Sequence, residues 1–257
     1  MAGQLSARAS AIYALDVYLP FAGVERAWRA RARSLRGATK RHAQVTRLPQ
    51  VAWHEIFPRR RIHLVETEKR NGNVHLGELA VLAQAAAATK PGAEIIEIGT
   101  FDGRTTINLA INAPDACPVF TLDLPPEHPT HFNLDTGERT FIDKPAIGAR
   151  FKSCAPPWSD KAAKIVQLAG DSATFDWSGH EKKAGLVFVD GSHAYDYVVA
   201  DSATARALVA PGGLVLWHDY GVWEGVTRAL EQLDAEARLG LKHIRGTSLV
   251  IWRNGAP

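Results

Sequence analysis

From about residue 72 onwards, short runs of β-branched and aliphatic residues alternate with longer stretches whose apolar positions recur at helical spacing. The short runs predict seven strands, at 94–99, 118–124, 164–171, 184–191, 214–220, 241–246 and 248–254. The longer stretches predict four helices, at 75–90, 104–113, 195–210 and 225–238. Strands that alternate with helices indicate a mostly parallel sheet covered on both faces, so the predicted fold class is α/β with a doubly wound sheet.

The last two predicted strands break this alternation. They are separated by a very short turn, whereas a parallel crossover needs a dozen or more residues. The C-terminal strand is therefore predicted to run antiparallel to its neighbours.

The chain before this alternating region has a different pattern. Apolar spacing predicts helices over 5–19 and 22–36, and the second of these is strongly basic. Residues 45–66 are less regular, because prolines interrupt them. We therefore predict a basic, mainly helical N-terminal extension over residues 1–66 and one domain over residues 67–257.

Composition narrows the class of protein. Hydrophobic residues make up 46% and charged residues 22%, as in ordinary globular chains. No apolar run reaches the roughly 18 residues of a membrane helix, so no membrane span is predicted. The two cysteines lack metal-binding spacing, which predicts a reducing compartment and a cytoplasmic location.

The net charge of +3 is unevenly distributed. The first 50 residues hold nine Arg or Lys against two acids. This region suits a solvated extension, recognition of an anionic or glycan acceptor, or a contact within a homodimer, and the sequence does not choose among them. Zinc-finger spacing and aromatic-rich basic strands are missing from the sequence, so no nucleic-acid partner is predicted.

Glycines and acids gather where the predicted strands end. Gly99 and Gly103 bracket the turn after strand 94–99, with a spacing unlike the G-x-G-x-x-G of dinucleotide folds. Glycine lets a ligand approach the backbone, and the next helix presents free N–H groups there. Asp123 ends the second strand, where an acid can accept hydrogen bonds from both ribose hydroxyls, and residues 170–172 end the third. Ligands bind beyond the carboxyl ends of strands in such sheets, so three strand ends predict a nucleoside site.

Several motifs follow the predicted strands: "EIGTFDG", "TLDLPP", "AGDSATFDW" and "FVDGSHAYDY" followed by "PGGLVLWHDYG". Together they resemble class I S-adenosylmethionine-dependent methyltransferases over about residues 70–252, and in particular the small-molecule O-methyltransferases related to catechol and sugar methyltransferases. The resemblance implies a seven-stranded Rossmann-like sheet, S-adenosylmethionine as cofactor, and methyl transfer to a hydroxyl of a small molecule or sugar.

The resemblance also implies a cofactor site. The glycine turn would line the methionine part of the cofactor, with Glu97 holding its amino group or shaping the loop. Asp123 would hold the ribose, and Asp171 with Ser172 would meet the adenine. A loop-capping role for Glu97, a turn-capping role for Asp171 and a core position for Val74 stay open. The residues assigned to the cofactor are Val74, Glu97, Gly99, Thr100, Gly103, Asp123, Leu124, Asp171, Ser172 and Asp190.

Methyl transfer to a hydroxyl is assisted when a base or a metal removes the proton, so such a group is expected near the methyl. Asp190 ends the fourth strand, and His193 follows three residues later. The catechol-type relatives have a lysine base at the position of His193, and histidine titrates near neutral pH. His193 is assigned as the general base and Asp190 as its catalytic neighbour, with helix capping as the alternative for His193. Ser192 and Tyr195 are weaker candidates.

Metal-dependent relatives hold Mg²⁺ with an acid after the fourth strand and an acidic or amide pair after the fifth. Asp190 and Asp219 match that plan, but His218 stands where sugar-modifying relatives have a carboxylate. Because Mg²⁺ prefers oxygen ligands, His218 favours another divalent cation or a second base. The assigned metal ligands are Asp190, His218 and Asp219, and a purely hydrogen-bonding role for Asp219 stays open.

The acceptor is less defined by the sequence. Trp217 and Trp223, near the end of the fifth strand, are candidates for an acceptor wall or for core packing. Residues 124–150 form a connection long enough to be a lid or binding loop. Two alternative functions stay open: an NAD(P)-dependent oxidoreductase, which also has an acid at the second strand end, and a non-catalytic nucleoside-binding protein.

Overall fold

A computed structural model of the protein describes residues 13–14, 45–143 and 146–255. Its strands are β1 (Tyr13–Ala14), β2 (Gln50–Val51), β3 (His63–Leu64), β4 (Glu94–Ile98), β5 (Val119–Asp123), β6 (Ile165–Ala169), β7 (Ala184–Val189), β8 (Val209–Trp217), β9 (Lys242–Ile244) and β10 (Val250–Arg253). Its α-helices are α1 (Trp53–Ile56), α2 (Leu76–Ala88), α3 (Arg104–Asn112), α4 (Arg139–Ile142), α5 (Ala149–Lys152), α6 (Ser159–Ala162), α7 (Tyr195–Leu208) and α8 (Glu224–Ala237).

One large sheet has the strand order β2-β9-β10-β8-β7-β4-β5-β6. Neighbouring strands run parallel except β10, which is antiparallel to both β8 and β9. The predicted doubly wound α/β sheet and its antiparallel C-terminal strand are therefore confirmed. All seven predicted strands are present, although β8 begins at Val209, earlier than expected.

The described sheet has an eighth strand that the sequence did not predict. Gln50 and Val51 form β2, which lies parallel to β9 at the edge of the sheet. The amide of His243 donates to the carbonyl of Pro49 at 2.8 Å, and the amide of Arg245 donates to the carbonyl of Val51 at 2.9 Å. The predicted count of seven strands was too low, because two residues are too few to show a period-two pattern.

The N-terminal prediction is only partly within the described residues. Tyr13 and Ala14 pair antiparallel with Leu64 and His63, so the helix predicted over 5–19 is wrong at these two positions. Backbone pairing with β3 outweighs the helical spacing there. The rest of that helix and the helix over 22–36 lie outside the described residues, and the domain boundary at 66/67 stays a prediction.

Hydrophobic residues cover both faces of the sheet. In β4, Ile95 joins the cluster that contains α2 and α3, whereas Ile96 and Ile98 join the cluster that contains α7 and α8. A strand buried on both faces needs apolar residues at successive positions, which explains the continuous apolar runs in the sequence. The elements that carry the site are thus fixed by two cores. No helix within the described ranges has the length and apolar character needed to span a membrane.

Candidate active site

A cavity of about 840 Å³ opens where β4, β5, β7 and β8 end. Its lining includes Gly99, Asp123, Asp190 and His218, which follow or end these four strands. This is the edge at which doubly wound sheets bind ligands. The volume is within the usual range for small-molecule sites, so the cavity can take a cofactor with part of an acceptor.

The glycine turn after β4 is held by contacts within the chain. Gly99 has φ +100°, and a Cβ atom added there would lie 2.0 Å from the carbonyl oxygen of Asp190. Gly103 has φ +83°, and an added Cβ would lie 2.5 Å from the ring of Phe151. Gly99 lines the cavity, whereas Gly103 and Thr100 are not among the described lining residues. Packing of the chain against itself already requires glycine at both positions.

The predicted ribose and adenine residues do meet at the cavity. Asp123 lies at its wall beside Leu124, and the Asp123 carboxylate accepts a hydrogen bond from the amide of Phe101 at 2.6 Å. Asp171 and Ser172 line the same wall. Asp171 accepts hydrogen bonds from the Tyr197 hydroxyl at 2.5 Å and the His131 amide at 2.7 Å.

Glu97 and Val74 are placed away from the cavity. The Glu97 side chain is fully buried, and its Oε2 accepts hydrogen bonds from Thr106 and Thr121 at 2.5 and 2.6 Å. Burial, only partly offset by these two hydrogen bonds, raises the pKa of Glu97 to about 8. Val74 is 1% exposed and packs in the core, while its neighbours Asn73 and His75 line the cavity.

Two imidazoles and two acids gather at the ends of β7 and β8. Ligand atoms of Asp190, His193 and Asp219 all lie within 4.8 Å of one another. His218 Nδ1 lies 2.9 Å from Asp190 Oδ1, and its Nε2 lies 3.2 Å from Glu78 Oε2. The structure thus brings the predicted ligands Asp190 and Asp219 together with His193, while the third predicted ligand, His218, contacts Asp190 without belonging to that group. Asp219 has φ +65°, a left-handed conformation that acidic residues tolerate better than most.

His193 is held between two carboxylates. Its Nε2 lies 2.8 Å from Asp219 Oδ2, and its Nδ1 lies 2.7 Å from Glu138 Oε1. The ring stacks on Trp223 with a centroid distance of 4.4 Å and an interplanar angle of 9°. Burial acts to lower the pKa of His193, but the hydrogen bonds to Asp219 and Glu138 outweigh it and raise that pKa to about 9. In this arrangement the ring is cationic at neutral pH, so it becomes a base only when a carboxylate contact is replaced.

The neighbouring ionisable groups respond to the same charges. Burial acts to lower the pKa of His218, but the charges of Asp190, Asp219 and Glu78 outweigh it and raise that pKa well above its usual value. Burial acts to raise the pKa of Asp219, but His218 and His193 outweigh it and lower that pKa. For Asp190 burial dominates, and its pKa is raised.

Sequence reasoning missed two of the acids. Glu78, in the first turn of α2, accepts hydrogen bonds from the amides of His75 and Ser248 at 2.7 and 2.8 Å. Its only sequence signal was its place three residues after the residue that precedes α2, a helix-capping spacing. Glu138 comes from the long connection after β5, and no motif marked it.

The remaining candidates divide between site and core. Trp223 lines the cavity, but Trp217 is 1% exposed and donates through Nε1 to Ser202 in the core, so an acceptor wall that includes Trp217 was wrong. Ser192 lines the cavity. Tyr195 lies instead beneath the guanidinium of Arg228.

Comparison with known protein families identifies the type of domain. Residues 96–220 match the family model described as a methyltransferase domain. The protein contains a methyltransferase domain. This match favours a methyltransferase over the NAD(P)-dependent alternative. A sequence search among curated proteins found no match.

Solved structures share the fold of this methyltransferase. The O-methyltransferase NovP has a TM-score of 0.52 and 14% identity, covering 71% of this chain and 81% of its own. Cofactor-bound Rv0187 from MTB has a TM-score of 0.50 and 17% identity, covering 74% and 85%. A Corynebacterium glutamicum protein has a TM-score of 0.53 and 13% identity, covering 90% and 98%. Likeness at these identities concerns the fold.

Proposed function

We propose that this methyltransferase transfers the methyl group of S-adenosylmethionine to a hydroxyl of a small molecule or a sugar. The observation that carries the proposal is the group of Asp190, His193 and Asp219 at the same cavity as Asp123. A hydroxyl needs help to lose its proton during transfer, and these groups can provide it. NovP, which shares the fold, is an O-methyltransferase, and this agrees with the proposal.

The chain offers suitable partners for each part of the cofactor, which supplies a methyl group already activated on a sulfonium. Asp123 carries a buried carboxylate at the cavity wall, suited to accept from the two ribose hydroxyls. Asp171 and Ser172, which line the cavity, would hold the adenine, and Gly99 would border the methionine part.

His193 can act as a base once an acceptor reaches it. A hydroxyl entering between His193 Nε2 and Asp219 Oδ2 would replace one of the two hydrogen bonds that raise the pKa of the ring. The pKa would then fall towards its ordinary value, the ring would release its Nε2 proton to solvent, and the neutral Nε2 could take the hydroxyl proton. Orientation of the hydroxyl against the methyl group would supply much of the remaining acceleration.

The same residues fit a divalent cation. Asp190 and Asp219 offer oxygen donors, and His193 or His218 offers nitrogen. A mixed set of this kind suits a transition metal better than Mg²⁺, which prefers oxygen alone. A cation held there would lower the pKa of a bound hydroxyl.

The test measures methyl transfer from labelled S-adenosylmethionine to a panel of catechols, other phenols and sugars, with added Mg²⁺ or Mn²⁺ or with EDTA. We expect a methyl ether, and we expect Asp219→Ala to lower kcat about 100-fold or more, in line with the loss of acid–base assistance. Asp160→Asn is the control, because Asp160 is exposed on α6, and it should behave as wild type. Asp123→Asn should weaken S-adenosylhomocysteine binding roughly tenfold, since a hydrogen bond to a charged group is lost.

Two outcomes would overturn the proposal. Methylation of amines or thiols but of no hydroxyl would remove the O-methyltransferase assignment. Tight binding of S-adenosylhomocysteine without turnover on any acceptor would favour the non-catalytic alternative.

A further inference from the structure

Glu138 reaches the site from outside the strand ends. It precedes α4 within the long connection between β5 and α5, 55 residues before His193 along the chain. Glu138 is only 3% exposed although it lies in a connecting segment. Acids in such segments are usually solvated, so a buried one there indicates a specific role.

Both carboxylate oxygens of Glu138 are engaged. Oε1 accepts from His193 Nδ1 at 2.7 Å and also from the His193 amide in a close contact. Oε2 accepts from the Ser192 hydroxyl at 2.9 Å and from the Asp135 amide at 2.6 Å. Four donors thus fix the carboxylate, so its position is set before any ligand arrives.

The aromatic neighbours of His193 do not set which side of the ring each nitrogen occupies. Stacking on Trp223 fixes the plane of the ring, and Phe141 packs with its ring centroid 6.2 Å away. Neither aromatic contact decides which nitrogen faces the cavity. The two carboxylates do, and Glu138 is the one whose contact would remain when an acceptor hydroxyl enters between Nε2 and Asp219.

We propose that Glu138 is a positioning residue of the methyl transfer: it holds His193 Nδ1 so that Nε2 faces the acceptor hydroxyl. The inference rests on the proposed O-methyltransferase function, and Glu138 itself touches neither acceptor nor cofactor in this role. Since Glu138 and Phe141 belong to the same connection, the connection must be docked for His193 to be oriented.

Glu138→Ala and Glu138→Gln separate position from charge. Alanine removes the carboxylate that accepts the hydrogen bond from His193 Nδ1. We expect kcat to fall about 100-fold, the loss associated with misplacement of a catalytic group by an ångström. Glutamine keeps a side-chain oxygen, and we expect at least roughly a tenth of wild-type kcat, since a neutral hydrogen bond is about half as strong. Affinity for S-adenosylhomocysteine should change by less than about twofold in both. Glu127→Ala, on the exposed part of the same connection, is the control.

A second readout does not depend on turnover. In ¹H–¹⁵N spectra of the His193 ring, the proton on Nδ1 should be protected from exchange in wild type and in Glu138→Gln and lost in Glu138→Ala. Unchanged kcat and an unchanged ring spectrum in Glu138→Ala would overturn the inference. Equal losses of kcat in Glu138→Ala and Glu138→Gln would also overturn it, because they would indicate that the negative charge of Glu138 is what matters. A parallel loss of S-adenosylhomocysteine binding would overturn it too, because it would indicate a structural role.

The two proposals fail in distinguishable ways. If wild type methylates no hydroxyl but the ring spectrum changes as expected, the proposed function fails and the orientation of His193 by Glu138 stands. If wild type is active and Glu138→Ala is equally active, the function stands and the positioning role fails.

Discussion

At the scale of single residues, Glu97 is an acid that is fully buried with only part of its carboxyl group hydrogen-bonded. Its side chain is fully buried, and Oε1 accepts no hydrogen bond from any described residue. Two threonine hydroxyls donate hydrogen bonds to Oε2, but the effect of burial is larger and raises the pKa of Glu97 to about 8. The folded protein therefore holds this carboxyl protonated at neutral pH, while the unfolded chain ionises it near pH 4.5.

This difference predicts a pH-dependent stability. The folded-state pKa is above the unfolded one, so the contribution of the protonated form is complete below about pH 4.5 and is lost as the pH rises towards 8. Glu97→Gln mimics the protonated form. Between pH 5 and pH 7, the unfolding free energy of wild type should fall relative to Glu97→Gln by on the order of 1 kcal/mol per pH unit.

Urea denaturation at several pH values measures this difference. Glu181→Gln is the matched control, because Glu181 is exposed and its curve should run parallel to wild type. A constant gap between wild type and Glu97→Gln across this range would contradict the raised pKa.

At the scale of elements, the turn from β4 into α3 shows what sequence patterns can and cannot reveal. The strand, the two glycines and the helix were all predicted, because apolar spacing and glycine are local signals. The reason for Gly99 was not predictable, since the obstructing atom is the carbonyl oxygen of Asp190 at the end of β7, a contact that only the folded sheet creates.

Gly99→Ala should therefore destabilise the fold strongly. The added Cβ meets a backbone atom that cannot move without shifting β7, and φ is +100°. We expect at least about 3 kcal/mol of destabilisation, measured by denaturant unfolding or by loss of soluble expression. Gly179→Ala, where an added Cβ meets no described atom within 4 Å, should change stability by less than about 0.5 kcal/mol. A fully stable Gly99→Ala would show that β7 does not pack as described.

At the scale of the whole molecule, an ionic network centred on the buried Arg150 and Asp102 joins the segment before α2 to α5 and to the turn before α3. Arg150 Nε lies 2.9 Å from Asp102 Oδ2, and its Nη1 lies 3.0 Å from Glu66 Oε2. Asn73, which lines the cavity, donates to Asp102 Oδ1 at 3.0 Å. The wall of the cavity that contains Asn73 is thereby anchored to the body of the fold.

The losses in unfolding free energy from removing Arg150 and Asp102 should not add. Arg150→Met leaves the buried Asp102 carboxylate with the half-exposed Arg70, 4.0 Å away, as its cationic neighbour, and we expect a loss of about 3 kcal/mol. Arg150→Met combined with Asp102→Asn should lose less than the sum of the two single changes, as a double-mutant cycle in denaturant would measure. Arg206→Met, at an exposed position on α7, is the control. Additive losses would mean that the pair does not interact.

The candidate site was predictable to the extent that it depends on parallel strands. Residues at the ends of β4, β5, β7 and β8 meet because those ends share one edge of the sheet, so Asp123, Asp190 and Asp219 could be placed together in advance. Glu78 and Glu138 could not, since they come from a helix and a connection whose docking depends on tertiary packing. The same reason hid β2, which has strand character only beside β9.

The flat stacking of Trp223 on His193 gives the protein an optical signal of its own. A protonated imidazole in face-to-face contact with an indole quenches the emission of that indole. A molecule that enters the cavity and separates the two rings would therefore brighten the fluorescence. Because the protein has seven tryptophans, the difference between wild type and Trp223→Phe would isolate this signal and report occupancy of the pocket without a label.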